Sequence, residues 1–108
     1  MKEVNGVNEK SLRAKIVGSY VREIRLRSGL TQDELARKLS YSSAQFVSNW
    51  ERGISLPPLD ILARLCVVCK TAPDDLVDVL YSYQEEVLKL QKKELRKTLS
   101  RATSRIRG

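Results

Sequence analysis

LTQDELARKLSYSSAQFVSNWERG, residues 30 to 53, carries two short helical patterns separated by a polar turn, and it ends in a glycine. Thr31 stands three residues ahead of Glu34. This is the spacing of a capping box, in which a hydroxyl accepts from one orphan amide of the helix start and a carboxylate reaches back to another. It predicts a helix over about Thr31 to Ser40, with its first turn at Gln32. Leu35, Ala36 and Leu39 form the apolar edge, Ser40 to Ser43 break the period, and Val47 and Trp50 resume it. Helices this short bury too little to stand alone, so they must share a core with the rest of the chain.

The run Gly-Leu-Thr-Gln-x-Glu-Leu-Ala-x-x-Leu from Gly29 to Leu39, followed by Ser-Asn-Trp-Glu-Arg-Gly from Ser48 to Gly53, resembles the Cro/cI-type (XRE-like) helix-turn-helix of bacterial and phage repressors. The likeness extends more loosely from Val17 to Leu80. It implies an all-α fold, a five-helix Cro/cI-like (lambda-repressor-like) domain over residues 11–80. A flexible N-terminal arm is expected over residues 1–10, and a basic amphipathic C-terminal helix over 81–108.

Composition bounds the partners. The chain has 108 residues and a formal net charge of +7, which favours an anionic partner without specifying a fold. Residues 84–108 hold eight Lys/Arg against three Asp/Glu, whereas residues 1–83 hold twelve against ten. No apolar run is long enough to span a membrane and no apolar signal core opens the chain, so the expectation is a cytoplasmic protein with no membrane partner. With the resemblance, that becomes a bacterial or phage protein associated with the nucleoid. Histidine is absent, which removes the commonest general base and metal ligand. Cys66 and Cys69 have half the spacing of a zinc site but lack two further ligands. They read as core thiols, with an oxidisable pair as the alternative. Neither an enzyme, a metal nor a cofactor is expected.

In chain order, helix 1 is expected from Ser11 to about Ser28, with Val17, Val21 and Ile24 inward and Gly29 closing it. Ser43 is the N-cap candidate for helix 3, which runs from about Ala44 to Arg52 before Gly53. In helix 4, Leu59, Leu62, Ala63, Cys66, Val67 and Val68 give a broad apolar face. Pro73 suits the first position of helix 5, Asp74 and Asp75 suit its positive end, and Leu76, Val77 and Leu80 face inward. Ser82 and Glu85 repeat the capping-box spacing, so either helix 5 runs on or a sixth helix starts at Tyr83. Farther on, Leu88, Leu95, Leu99 and Ile106 share one half of the helix surface and Lys89, Lys92, Lys93 and Arg96 the other.

A helix-turn-helix works because its second helix fits a major groove about 12 Å wide with side chains presented to base edges. Here the outward side of helix 3 is Ala44, Gln45, Ser48, Asn49 and Arg52. Gln45 and Asn49 lie four apart, and each can make the paired donor and acceptor contact that adenine offers. The resemblance implies that Gln45, Ser48, Asn49 and Ala44 read bases and that Gln32, at the start of helix 2, holds the phosphate backbone. Ser43, Arg52 and Ser55 join Gln32 as phosphate contacts. Glu51 matches the family's internal ion-pair member, with Arg25 as its mate, and that pair is structural. Two departures stand out: Ser40 where relatives usually have glycine, in a turn one residue longer, and the uncharged Ile54-Ser-Leu where relatives commonly carry basic residues.

The expected function is a sequence-specific DNA-binding transcriptional regulator. It is a small repressor that binds a palindromic operator on double-stranded DNA as a homodimer. The alternative is a helix-turn-helix module with a protein partner, such as an antitoxin or bridging factor. For the tail, dimerisation, an auxiliary DNA arm and self-packing on the domain all remain open.

Overall fold

The computed structural model describes the backbone of residues 3–4 and 7–108, and the side chains of residues 9–108. Five helices follow in order: α1 (Glu9–Arg27), α2 (Gln32–Lys38), α3 (Gln45–Glu51), α4 (Leu59–Val68) and α5 (Pro73–Arg107). Ahead of them, β1 (Glu3–Val4) and β2 (Val7–Asn8) pair antiparallel, with Glu3 opposite Asn8 and Val4 opposite Val7. The flexible arm expected over residues 1–10 falls in part outside the described residues, and α1 starts two residues earlier than Ser11.

Each short helix stops for a local reason. The capping box of α2 forms as its spacing demands, with the Thr31 hydroxyl accepting from the Glu34 amide at 3.0 Å and the Thr31 amide donating to Glu34 Oε1 at 2.9 Å. Those bonds, made to the ionised form, hold the Glu34 carboxyl below the usual carboxylate pKa. At its other end the chain turns left-handed at Ser40 (φ 66°). The Ser40 amide donates to Arg37 O and the Tyr41 amide to Ala36 O, the two bonds of a Schellman motif. Gly53 closes α3 the same way, at φ 74° with Ile54 donating to Asn49 O. Lys70 closes α4 at φ 51°, with Thr71 donating to Cys66 O. Ser40 thus adopts the positive φ that glycine takes more cheaply. The longer turn is filled by Tyr41, whose ring packs 4.5 Å from that of Phe46 and edge-on to Trp50 at 5.3 Å.

Val17, Val21 and Ile24 of α1, Leu35, Ala36 and Leu39 around α2, and Val47 and Trp50 of α3 form one core with Ile61, Leu62 and Leu65 of α4. The expected faces of the first three helices therefore hold, but that of α4 does not. Leu59 and Val67 are each 78% exposed and Ala63 is exposed, while Ile61, Leu62, Leu65 and Cys69 point inward. The helix is apolar on nearly every side, so periodicity alone cannot choose its face. The Cys66 and Cys69 thiols are free, and burial raises the pKa of both.

The fifth helix and the C-terminal helix are one continuous element. The Ser82 hydroxyl donates to Val79 O at 2.7 Å instead of capping a new start. Leu76 and Leu80 pack against the core, whereas Val77 is 48% exposed and turned away. Val87 is the last buried residue, and every residue beyond Leu90 except Ala102 is exposed. The end of α5 therefore projects from the body, and the molecule measures 64 × 25 × 21 Å. Among the described residues, no helix is long and apolar enough to cross a membrane.

Candidate nucleic-acid interface

The geometry of α3 is set by how it is pressed onto α1. Gly18 sits in the middle of α1 where Trp50 of α3 passes; a Cβ there would lie 2.2 Å from the Trp50 carbonyl oxygen and 3.1 Å from that of Glu51. Only a residue without a side chain permits this approach. One and a half turns on, Arg25 reaches across to Glu51. Its Nε donates to Oε2 at 2.6 Å and its Nη2 to Oε1 at 3.0 Å, while Nη1 donates to the Leu30 carbonyl at 2.9 Å. The two side chains are 10% and 4% exposed. The hydrogen bond from Arg25 to Glu51 raises the guanidinium pKa, so the charge is permanent. A forked, buried pair of this kind fixes both distance and rotation between two helices.

Gln32 adds a third partner, its Nε2 donating to Glu51 Oε1 at 3.1 Å. The side chain expected at a phosphate is thus also tied to the internal ion pair. Part of its hydrogen-bonding capacity goes to holding the start of α2 against the end of α3.

On the opposite side of α3, Gln45 and Arg52 are exposed, and Ala44, Ser48 and Asn49 are half-buried. The Gln45 Nε2 donates to Asn49 Oδ1 at 2.8 Å, and Arg52 Nη2 donates to the same oxygen at 3.0 Å. Three side chains expected at DNA thereby form one hydrogen-bonded row along the exposed face. Two donors converge on a single carboxamide oxygen, leaving Gln45 Oε1 as acceptor and Asn49 Nδ2 as donor on the outside. Ser43 lies at the head of the row, with its hydroxyl accepting from the Gln45 amide at 3.0 Å. It acts as the cap expected of it, although the regular helix begins at Gln45. Ser55 is exposed in the loop after α3, beside Ile54, which is 61% exposed.

Sequence reading missed Gly18 and the double duty of Gln32. A signal existed for the first: a glycine inside an otherwise continuous helical pattern marks either a weak helix or a close packing contact. None existed for the second, because a glutamine at a helix start reads the same whether it faces solvent or a buried carboxylate.

A family model described as a helix-turn-helix domain matches residues 16–80 of this chain. Among solved structures, the chain is similar to the clp gene regulator ClgR from Corynebacterium glutamicum. The two share 26% sequence identity at a TM-score of 0.55, over 84% of this chain and 93% of that one. A comparison with curated proteins finds no match.

Proposed function

The chain belongs to the helix-turn-helix family of the XRE/Cro-like kind, and we propose that it is a sequence-specific DNA-binding transcriptional regulator. The observation that carries this is the row Gln45–Asn49–Arg52, hydrogen-bonded on the exposed face of a helix whose other face is locked to α1 by a buried ion pair. A helix held this firmly can place donors and acceptors against base edges without first being ordered. Gln45, Ser48, Asn49 and Ala44 read bases; Gln32, Ser43, Arg52 and Ser55 hold the backbone. The similarity to a gene regulator, ClgR, agrees with this role.

The finer reading is a small repressor, nucleoid-associated in the cytoplasm, that binds a palindromic operator as a homodimer. One copy presents a single α3, and two copies are needed to read half-sites about 34 Å apart. The projecting end of α5 supplies the means. Leu88, Leu95 and Leu99 are each more than half exposed, and Ile106 is 85% exposed, so within one copy this stripe has no cover. Selecting bound sequences from random duplexes, with the mass in solution measured alongside, tests the reading. The expected result is a two-fold symmetric site with half-sites one helical turn apart and a mass of two copies. Recovery of no preferred sequence would overturn it.

The same exposed stripe favours a second reading, a module whose main partner is another protein. Salt separates the two: a DNA binder loses duplex affinity steeply as salt rises, and an adaptor has little to lose.

A further inference from the structure

The loop after α3 is uncharged, and the structure shows what lies against it. Gly53 is stacked on α1 at Lys15: a Cβ on Gly53 would fall 2.8 Å from Lys15 Cγ and 3.0 Å from its Cα. Beside this contact a cleft opens between the two segments, with Lys10, Ser11 and Ala14 on one wall and residues 53–56 on the other. Lys10 and Lys15 are both exposed, and neither forms an ion pair among the described residues. By contrast, Arg52, the last cation of the reading row, already donates to Asn49.

The seven residues of α3 make a rod about 10 Å long, close to the width of the groove, about 12 Å. Whatever follows its last turn therefore meets a phosphate wall rather than a base. That position belongs to the loop at residues 53–55, which offers only a serine hydroxyl and backbone amides. We infer that Lys10 and Lys15 of α1 form a phosphate-binding patch that supplies, from the first helix, the charge the loop lacks. The patch takes the sugar-phosphate backbone of duplex DNA beside each half-site, without regard to sequence. It rests on the DNA-binding reading of α3 and extends it to a helix outside the two-helix reading head.

The test is a salt series on the full chain, with duplex affinity followed by fluorescence anisotropy for a selected site and a scrambled one. Each phosphate contact contributes about 0.9 to the slope of log affinity against log salt. Lys10→Gln/Lys15→Gln should make the slope shallower by about 1.8, weakening both duplexes alike and leaving the preference between them unchanged. Adding Ile54→Lys to that variant moves a charge onto the loop and should restore about one contact's worth of slope. An unchanged slope in the double variant, with wild-type binding intact, overturns the patch alone. A wild-type chain with no salt-dependent duplex affinity overturns both the patch and the DNA-binding reading.

Discussion

Residues 9–90 and residues 91–107 are both helical and both carry an apolar stripe, yet only the first set closes its stripe within the chain. In the body, Val17, Leu35, Leu39, Val47 and Leu65 are fully buried, and the contact of α1 with α3 is specified by a missing side chain and a buried ion pair. In the projecting end of α5, Leu95, Leu99 and Ile106 follow the same helical period with nothing from this chain over them. A periodic stripe thus states that something will pack there, not what. The body is stabilised by its own contacts, whereas the tail waits for a partner and contributes little to the folding of one copy.

Breaking the body should therefore have large effects on stability, and altering the tail almost none. The largest loss is expected for Glu51→Ala, which leaves the Arg25 guanidinium buried without its carboxylate. Chemical denaturation should show about 3 to 5 kcal/mol, and replacing both members with apolar residues should cost much less than either single change. Next comes Gly18→Ala. Its methyl group would meet backbone rather than a yielding side chain, so α1 and α3 must separate, at about 3 kcal/mol, where other alanine substitutions at exposed α1 positions are neutral.

A smaller effect of opposite sign is expected at the turn. Ser40→Gly relieves a non-glycine residue held at φ 66° and should raise stability by about 0.5 to 1 kcal/mol in a thermal melt, less the glycine's added freedom in the unfolded chain. The smallest effect belongs to the tail. Leu95→Gln/Leu99→Gln should leave the stability of a single copy within about 0.5 kcal/mol while shifting sedimentation from two copies to one. A large loss of single-copy stability would show instead that the stripe packs on its own body, and so would remove the contrast between the two regions.

How much of this was legible in the sequence follows the same division. The capping box at Thr31 and Glu34, the inward edges of the first three helices and the Arg25–Glu51 pair are local patterns or pairs fixed by family spacing, and each forms as read. The face of α4 was misread because Leu59 and Val67 are as apolar as Ile61 and Leu65, and only the angle at which the helix meets α1 and α5 decides which are covered. Ser82 and Glu85 have a capping spacing that the chain ignores, since the backbone was already helical and the hydroxyl bonded backwards to Val79. At the site, the positions of Gln45, Asn49 and Arg52 on one face were readable from their intervals. Their sharing of one carboxamide oxygen was not, and neither was the placing of Lys15 beneath Gly53, because both depend on side chains meeting in space.

The central claim is that the hydrogen-bonded row on α3 reads DNA sequence, and titration of a selected duplex with Gln45→Ala and Asn49→Ala tests it most directly. Each substitution should cost about 1 to 3 kcal/mol on the preferred site and relax the base preference at one position of each half-site, with the thermal stability of the protein unchanged. Affinity and base preference both unchanged in the two variants would contradict the account.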